Sequence, residues 1–324
     1  MSRLVIHIGL HKTGSTAIQN VLGNARNLLL QERIIYPSFE GEFYHHGLVN
    51  PWIALPKVYS FSDPAKAWKD LAELAKGDHT VIVSSEEFSR LQRSSINYKE
   101  VREMTRAFDE VTVVLVLRHQ LQYIQSIYLE VSKNTNIGAF SPFLTKSVQS
   151  GYCTGLALDY GLVLNNLEQG FPPDAIRVLS YDVLNTSDTG FVRGFLDCLG
   201  IAPRRAAESL QSVKTNVSSD ALAVWMASIS RAPDVVSPEA LKIWTHALKR
   251  QLGTHQQLIF TRSEADFICD RYAQANEAFA CRVKDANPDF LMPLEIRSDK
   301  AIYREDITPE VWRKVRAVLQ DASV

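Results

Sequence analysis

The sequence is poor in net charge, in long apolar runs and in cysteine, and each shortage excludes a class of protein. A formal net charge of -1 over 324 residues argues against the chain-wide positive charge typical of nucleic-acid-binding proteins, so we expect no nucleic-acid partner. No apolar run approaches the roughly 18 to 20 residues of a membrane span, and the first apolar run begins at Leu4, which leaves no room for a signal peptide. We therefore expect a cytoplasmic protein with no integral membrane segment. The cysteines lack C-x-x-C spacing and partnering histidines, which predicts reduced thiols and no metal site; they are Cys153, Cys198, Cys269 and Cys281.

The chain is rich enough in apolar residues, at 46%, to bury a substantial core. We expect a single domain over residues 1–324, with an α/β core over 1–200 and a mainly helical extension over 201–324. Apolar, β-branched runs predict a central, mostly parallel sheet with helices on both faces; they lie at 4–8, 80–84, 111–117 and 176–180. Helical spacing of apolar residues recurs at 64–76, 98–108, 119–131, 156–169, 189–199, 219–230, 238–251, 263–280 and 308–319.

The stretch 4–19 reads as a strand, a glycine-bounded polar loop and the start of a helix. This order predicts an anion site, because backbone N–H groups and the helix dipole converge there. Gly9 and Gly14 have the separation of a nucleoside-triphosphate P-loop, yet the lysine lies inside the loop, at Lys12, instead of after the second glycine. The order of strand, loop and helix, together with the predicted parallel sheet, predicts a P-loop NTPase-like, three-layer α/β fold. The plainer alternative is an ordinary strand-to-helix turn with an exposed lysine.

Polar residues also follow two later strands. Glu86 and Glu87 come after the run 80–84, where ligands collect at the carboxyl edge of a parallel sheet. Either glutamate could take a proton, or either could cap the next turn. Arg118 ends the run 111–117 and is suited to bind phosphate, the alternative being a surface ion pair. Ser126 lies eight residues later, a helical rise of about 12 Å, or it is a neutral helix residue.

A long loop at 40–63 is the first candidate for part of an acceptor site, because loops of this length in compact domains are usually functional. It contains His45 and His46. Each could be a general base or a surface or packing residue.

These residues together resemble the sulfotransferases that use 3′-phosphoadenosine 5′-phosphosulfate (PAPS) as donor. The 5′-phosphosulfate loop of that family, of the type K-[TS]-G-[ST]-T, is matched by Lys12, Thr13, Gly14, Ser15 and Thr16. Its 3′-phosphate motif, an Arg at a strand end and a Ser eight residues later, is matched by Arg118 and Ser126. A weaker match at 176–184 places Tyr181 near the adenine. The resemblance also implies that the loop bounded by Gly9 and Gly14, which includes His11, binds the donor, and we call it the donor loop. The resemblance covers residues 5–185 and implies that Lys12 stabilises charge on the bridging oxygen as the sulfuryl group leaves.

The C-terminal Arg-Lys-Gly segment of the cytosolic members is not found. Lys214, Thr215 and Asn216 could replace it, although Asn216 with Ser218 and Ser219 is equally a helix-start signal.

The function expected is transfer of a sulfuryl group from PAPS to a hydroxyl of a small-molecule or glycan acceptor, with a carbohydrate or glycolipid preferred by resemblance. The base is Glu86, Glu87, His45 or His46, and no metal is expected. One alternative is an ATP- and Mg²⁺-dependent small-molecule kinase, against which the displaced Lys12 argues. Another is a non-catalytic nucleotide-binding module.

Overall fold

The computed structural model describes residues 1–204, 206, 210, 220–232, 234–293 and 300–321. Within these residues the strands are Arg3–His7 (β1), Ile34–Ile35 (β2), Thr80–Ser84 (β3), Glu110–Leu117 (β4), Tyr152–Cys153 (β5), Leu156–Ala157 (β6), Ile176–Ser180 (β7), Gln257–Leu258 (β8) and Ile302–Tyr303 (β9). The helices are Ser15–Leu30 (α1), Pro64–Glu73 (α2), Tyr98–Met104 (α3), Gln120–Val131 (α4), Phe140–Ser150 (α5), Tyr160–Leu167 (α6), Tyr181–Asn185 (α7), Phe191–Asp197 (α8), Ala221–Arg231 (α9), Pro238–Leu252 (α10), Arg262–Val283 (α11) and Pro309–Asp321 (α12).

The central sheet has five strands in the order β2-β3-β1-β4-β7. Every pair in it is parallel, with Val5 opposite Ile82 on one side and Thr112 on the other. Parallel strands need crossover connections, and helices supply them between β1, β2, β3, β4 and β7. The predicted α/β class with a mostly parallel, P-loop-like sheet is confirmed, and so is the helical character of the C-terminal third.

The chain divides into two compact units. The first comprises Met1–Arg118, Gly155–Thr215 and Ala275–Leu294, and it contains the central sheet. The second comprises His119–Thr154, Asn216–Gln274 and Glu295–Val324. The single domain expected over residues 1–324 stays a prediction.

In the first unit, α1 and α8 pack on one face of the sheet. Ile18 and Leu22 of α1 and Phe195 of α8 join Val5 and Val114 in one buried cluster. The free edge of β7 is covered by Asn287, whose Oδ1 accepts the Val178 N–H at 2.8 Å and whose Nδ2 donates to the Ile176 carbonyl at 3.0 Å. These bonds satisfy backbone groups that an edge strand otherwise exposes.

In the second unit, α10 packs against α9 and α12. Trp312 lies 6.0 Å from Trp225 and 6.2 Å from Trp244 between ring centroids. The Arg304 guanidinium donates to both Glu264 oxygens at 2.7 Å and lies 5.5 Å from the Phe140 ring. The tryptophans are packing residues, as aromatics at helical spacing predict.

The structure differs from the sequence patterns at three places. The helix predicted at 156–169 begins only at Tyr160, because Asp159 caps the Gly161 N–H at 2.8 Å and residues 156–157 are extended. Helix α5 was not predicted. Phe267 lies at the helical spacing that is typical of packing aromatics, yet it is 53% exposed. The segment 214–216, the possible substitute for Arg-Lys-Gly, lies outside the described residues together with Ser218 and Ser219.

Candidate active site

The loop between β1 and α1 is held by an extension of the sheet. Beyond the end of β1, the Ile8 N–H donates to the Val114 carbonyl at 3.0 Å and the Leu10 N–H to the Val116 carbonyl at 2.9 Å. The chain then turns through Lys12, which has a left-handed φ of 60°. This conformation costs a non-glycine residue about 1 kcal/mol. The loop therefore holds its lysine in a fixed, strained backbone conformation of the kind that concentrates at ligand sites.

Two hydroxyls close the loop from inside. The buried Thr13 and Ser15 side chains both donate to the Leu10 carbonyl, at 2.6 and 3.2 Å. Their donor hydrogens are therefore used within the loop, whereas Thr16 is exposed at the start of α1. The first-turn N–H groups of a helix have no intrahelical acceptor. An anion at this helix start would thus meet backbone N–H groups and Thr16.

Both loop glycines are required by their contacts as well as by their φ. A Cβ on Gly14, at φ 86°, would lie 2.4 Å from Cζ of Phe191. A Cβ on Gly9, at φ 85°, would lie 2.8 Å from Cβ of Glu86. The β1–α1 loop is consequently packed directly against Glu86.

Glu86 lies where β3 ends, at the start of a 3₁₀ turn over Glu86–Ser89. Its Oε2 accepts a hydrogen bond from Nε2 of Gln19 at 2.9 Å. Burial by itself raises the pKa of the Glu86 carboxyl, but the electrostatic interactions with His11 and His46 and the hydrogen bonds from backbone and from Gln19 lower it, so the pKa lies below its usual range. The lowered pKa favours an ionised Glu86 carboxylate next to the β1–α1 loop, which is the state a general base needs.

The Glu87 side chain has different partners from those of Glu86. Its carboxylate is paired with Arg90 and lies 3.8 Å from Nε2 of His11. Burial lowers the pKa of His11, and the charges of Glu86 and Glu87 oppose that effect. Glu87 is thus held in an ion pair with Arg90, whereas the Glu86 carboxylate accepts a hydrogen bond from Gln19.

The two neighbouring histidines have different surroundings. His45 is fully buried; its Nδ1 accepts the Ser84 N–H at 2.9 Å and its Nε2 donates to the Pro37 carbonyl at 3.0 Å. Burial lowers the pKa of His45 to about 4. Both ring nitrogens therefore bind backbone. His46 is half-buried, its Nδ1 lies 2.9 Å from the Ser85 hydroxyl, and its ring lies parallel to that of Tyr44 at 6.0 Å.

Arg118 approaches the β1–α1 loop from the end of β4. Its Nη1 donates to the Lys12 carbonyl at 3.4 Å, and its guanidinium lies 4.8 Å from the centre of the Tyr181 ring. Tyr181 in turn packs on Phe191 at 5.5 Å, the ring that contacts Gly14. Burial lowers the pKa of Arg118, while nearby Tyr181 and Asp182 raise it. A cation, an aromatic ring and the loop backbone are thereby assembled at one place.

Of the residues predicted from the sequence, the first unit brings together the loop, Glu86, Glu87, both histidines, Arg118 and Tyr181. Ser126 lies in α4 of the second unit, where it is half-buried. The sequence reasoning missed Gln19, Phe191 and Tyr160, whose hydroxyl donates to the Arg118 carbonyl. The only sequence signal for Gln19 was a polar residue on the buried side of an amphipathic helix.

Among the described residues, no group of three or more histidine, cysteine, aspartate or glutamate side chains is placed to hold a metal ion. No helix within the same residues is long and apolar enough to cross a membrane.

Three of the solved structures that the chain resembles are a sulfotransferase and two sulfotransferase domains. One is a sulfotransferase from Alicyclobacillus acidocaldarius, with 15% identity and a TM-score of 0.41 over 74% of this chain and 98% of the other. A sulfotransferase domain from the curacin biosynthetic pathway has 13% identity and a TM-score of 0.35 over 84% and 98%. The corresponding domain of the Synechococcus PCC 7002 olefin synthase has 14% identity and a TM-score of 0.31 over 84% and 94%. No protein-family model and no curated protein matches the sequence. At these identities and TM-scores the likenesses say nothing about donor or acceptor.

Proposed function

We propose that this protein is a sulfotransferase that moves a sulfuryl group from PAPS to an acceptor hydroxyl. The observation that carries the proposal is the packing of one loop against both a cation and a carboxylate. Arg118 donates to the carbonyl of Lys12 on one side, and Glu86 contacts Gly9 on the other. Sulfuryl transfer needs both an anion site and a base, and this loop adjoins a candidate for each.

The donor end of the site is assigned to the loop and to Arg118. The start of α1, Thr16 and Lys12 would bind the 5′-phosphosulfate, since helix N-termini and ammonium groups both favour anions. Arg118 would bind the 3′-phosphate, and Tyr181 would adjoin the adenine. The role that the sequence motif gives to Ser126 stays a prediction. PAPS supplies an activated sulfuryl group whose departure leaves charge on a phosphate oxygen, and Lys12 would stabilise that charge.

Glu86 is the base in this proposal. Its carboxylate would accept the proton of the acceptor hydroxyl while the oxygen of that hydroxyl forms a bond to sulfur, and the sulfur–oxygen bond to the donor phosphate breaks. Adenosine 3′,5′-bisphosphate then leaves. Glu87 is paired with Arg90, and His45 binds backbone at both nitrogens. We therefore prefer Glu86 over Glu87 and His45 as the base. His46 adjoins Glu86 and interacts with its charge.

The acceptor proposed is a carbohydrate or glycolipid hydroxyl. The support, beyond the sequence resemblance, is a row of rings that adjoins the base: Tyr44 stacks on His46, and Tyr59 meets His46 edge-on at 5.4 Å. Tyr59 is 52% exposed. Exposed aromatic faces offer apolar contact to the C–H surface of a sugar ring.

The proposal is tested by incubating the protein with PAPS and a panel of mono- and oligosaccharides and measuring release of adenosine 3′,5′-bisphosphate. The wild type should release it with at least one acceptor. Lys12→Ala should slow release about 100-fold, the order seen when one charge-stabilising group is removed. Lys69→Ala, an exposed lysine of α2, is the matched control and should behave as wild type. Equal rates for the two variants would overturn the role of Lys12.

A further inference from the structure

Gln19 is a buried polar residue whose contacts reach from the donor helix to the candidate base. It lies on the second turn of α1, the helix whose first turn carries Ser15 and Thr16, and it is 1% exposed. Burial of an amide costs free energy unless its hydrogen bonds are made. The partners of Gln19 therefore indicate why an amide is present on this buried face.

The side-chain amide of Gln19 donates two hydrogen bonds. Nε2 lies 2.9 Å from Oε2 of Glu86 and 3.4 Å from the carbonyl oxygen of Ser84. Both partners are acceptors, so the opposite amide orientation would place Oε1 against a carboxylate and a carbonyl. The chemistry of the partners thus fixes which end of the amide faces Glu86.

Glu86 is held from the other side by the donor loop. The position of a Cβ on Gly9 lies 2.8 Å from Cβ and 3.1 Å from Cα of Glu86. The backbone of the glutamate therefore packs on the loop, while its Oε2 is bonded to the helix that the loop begins. Oε1 of the same carboxylate is the oxygen that Gln19 does not bind.

We propose that Gln19 is a positioning residue that fixes the Glu86 carboxylate relative to the donor loop and directs Oε1 toward the acceptor hydroxyl. The mechanistic part of this inference rests on the proposed function. Gln19 lies on the helix that the donor loop begins, so the amide that holds the base and the loop belong to one continuous stretch of chain.

The hydrogen bond also has an electrostatic consequence. An N–H donor stabilises the ionised form of a carboxylate, so its loss raises the pKa of Glu86. Other titratable groups whose charge interacts with this carboxylate are His7, His11, Tyr36, Tyr44 and His46. None of them is altered by a substitution at Gln19, so a shift of the Glu86 titration between variants reports the amide.

The test is a pair of measurements on Gln19→Met, which keeps the length of the side chain and removes both donors. The first is a ¹³C NMR titration of the Glu86 carboxyl carbon, assigned with Glu86→Gln. The second is the pH profile of kcat for sulfuryl transfer, with adenosine 3′,5′-bisphosphate affinity measured in parallel. Gln31→Met, the same exchange at an exposed position at the end of α1, is the control.

We expect the Glu86 midpoint to rise in Gln19→Met and to stay unchanged in Gln31→Met. We also expect kcat to fall about 10- to 100-fold, the range for loss of a hydrogen bond to a charged group, with the acidic limb of the profile moved to higher pH and nucleotide affinity kept. If Gln19→Met does not fold, Gln19→Glu replaces it; a second carboxylate beside Glu86 should raise the midpoint further.

An unchanged Glu86 midpoint in the variant that folds would overturn the inference, whether or not the protein transfers sulfuryl groups. A raised midpoint in a protein that transfers none would uphold the placement by Gln19 and contradict the proposed function instead. The two failures are thereby distinguished.

Discussion

Gly9 and Glu86 lie so close that a Cβ on the glycine would stand 2.8 Å from Cβ of the glutamate. Gly9 opens the donor loop, and Glu86 is the proposed base. Because the two residues are in contact, the backbone of Gly9 helps to fix the position of Glu86. The first prediction tests this contact.

Gly9→Ala should destabilise the fold by more than its left-handed φ alone explains. Gly41 has φ 86° and nothing within 4 Å of its Cβ position, against φ 85° and the Glu86 contact for Gly9. Gly41→Ala therefore measures the conformational cost alone, about 1 kcal/mol. Gly9→Ala should cost at least about 1 kcal/mol more, the low end for overpacking, as measured by urea unfolding. Equal destabilisation by Gly9→Ala and Gly41→Ala would show that Glu86 moves away from the added methyl group without a cost in free energy.

Glu86→Gln and Glu87→Gln should separate the two candidate glutamates. Glu86→Gln removes the proposed proton acceptor and should lower kcat about 100-fold or more. Glu87→Gln weakens an ion pair with Arg90 and should lower kcat less than about tenfold. Both variants should bind adenosine 3′,5′-bisphosphate as tightly as wild type. A larger loss of kcat in Glu87→Gln would reassign the base.

Arg118→Lys should weaken binding of adenosine 3′,5′-bisphosphate about tenfold although the charge is kept. Lysine lacks the planar fork that lies 4.8 Å from the Tyr181 ring, and it offers a point charge in place of paired donors. Calorimetry measures the change, with Arg106→Lys, at an exposed position, as control. Undiminished affinity in Arg118→Lys would argue that the fork makes no phosphate contact.

The buried His45 should make stability depend on pH. Its pKa is lowered to about 4 by burial, against about 6.5 in an unfolded chain. Between pH 6.5 and 4 the imidazole of His45 is therefore protonated in the unfolded state and neutral in the native state. The free energy of unfolding consequently falls as pH drops from 6.5 toward 4. One such group contributes a slope of about 1.4 kcal/mol per pH unit.

His45→Gln should reduce that slope between pH 6 and 5, measured by urea unfolding at each pH. His255→Gln, at an exposed histidine, should leave it unchanged. If both variants keep the wild-type slope, His45 is protonated in the native state at these pH values.

The sheet was predictable because its strands are buried on both faces and read as continuous β-branched runs. The run 111–117 corresponds to β4 within one residue, and 80–84 corresponds to β3. Helix α5 was not predicted because its sequence, which contains Pro142 and several hydroxyl residues, has low helix propensity. Proline is tolerated in the first turn, so local composition misleads there.

The strand, loop and helix start over residues 4–19 were predictable from the sequence, but the residues that support the loop were not. The contact of Phe191 with Gly14 joins residues far apart in the chain. Gln19 looked like one polar residue on an amphipathic helix. The two adjacent histidines could not be told apart from sequence, because their difference depends on which backbone groups meet His45.

The central claim is tested most directly by calorimetric titration of the protein with adenosine 3′,5′-bisphosphate, without metal, and separately with ATP and Mg²⁺. The account predicts binding of the bisphosphate that is unaffected by a chelator, weakened at least about tenfold in Arg118→Ala and unchanged in Arg106→Ala. Binding of ATP only in the presence of Mg²⁺, with none of the bisphosphate, would contradict it.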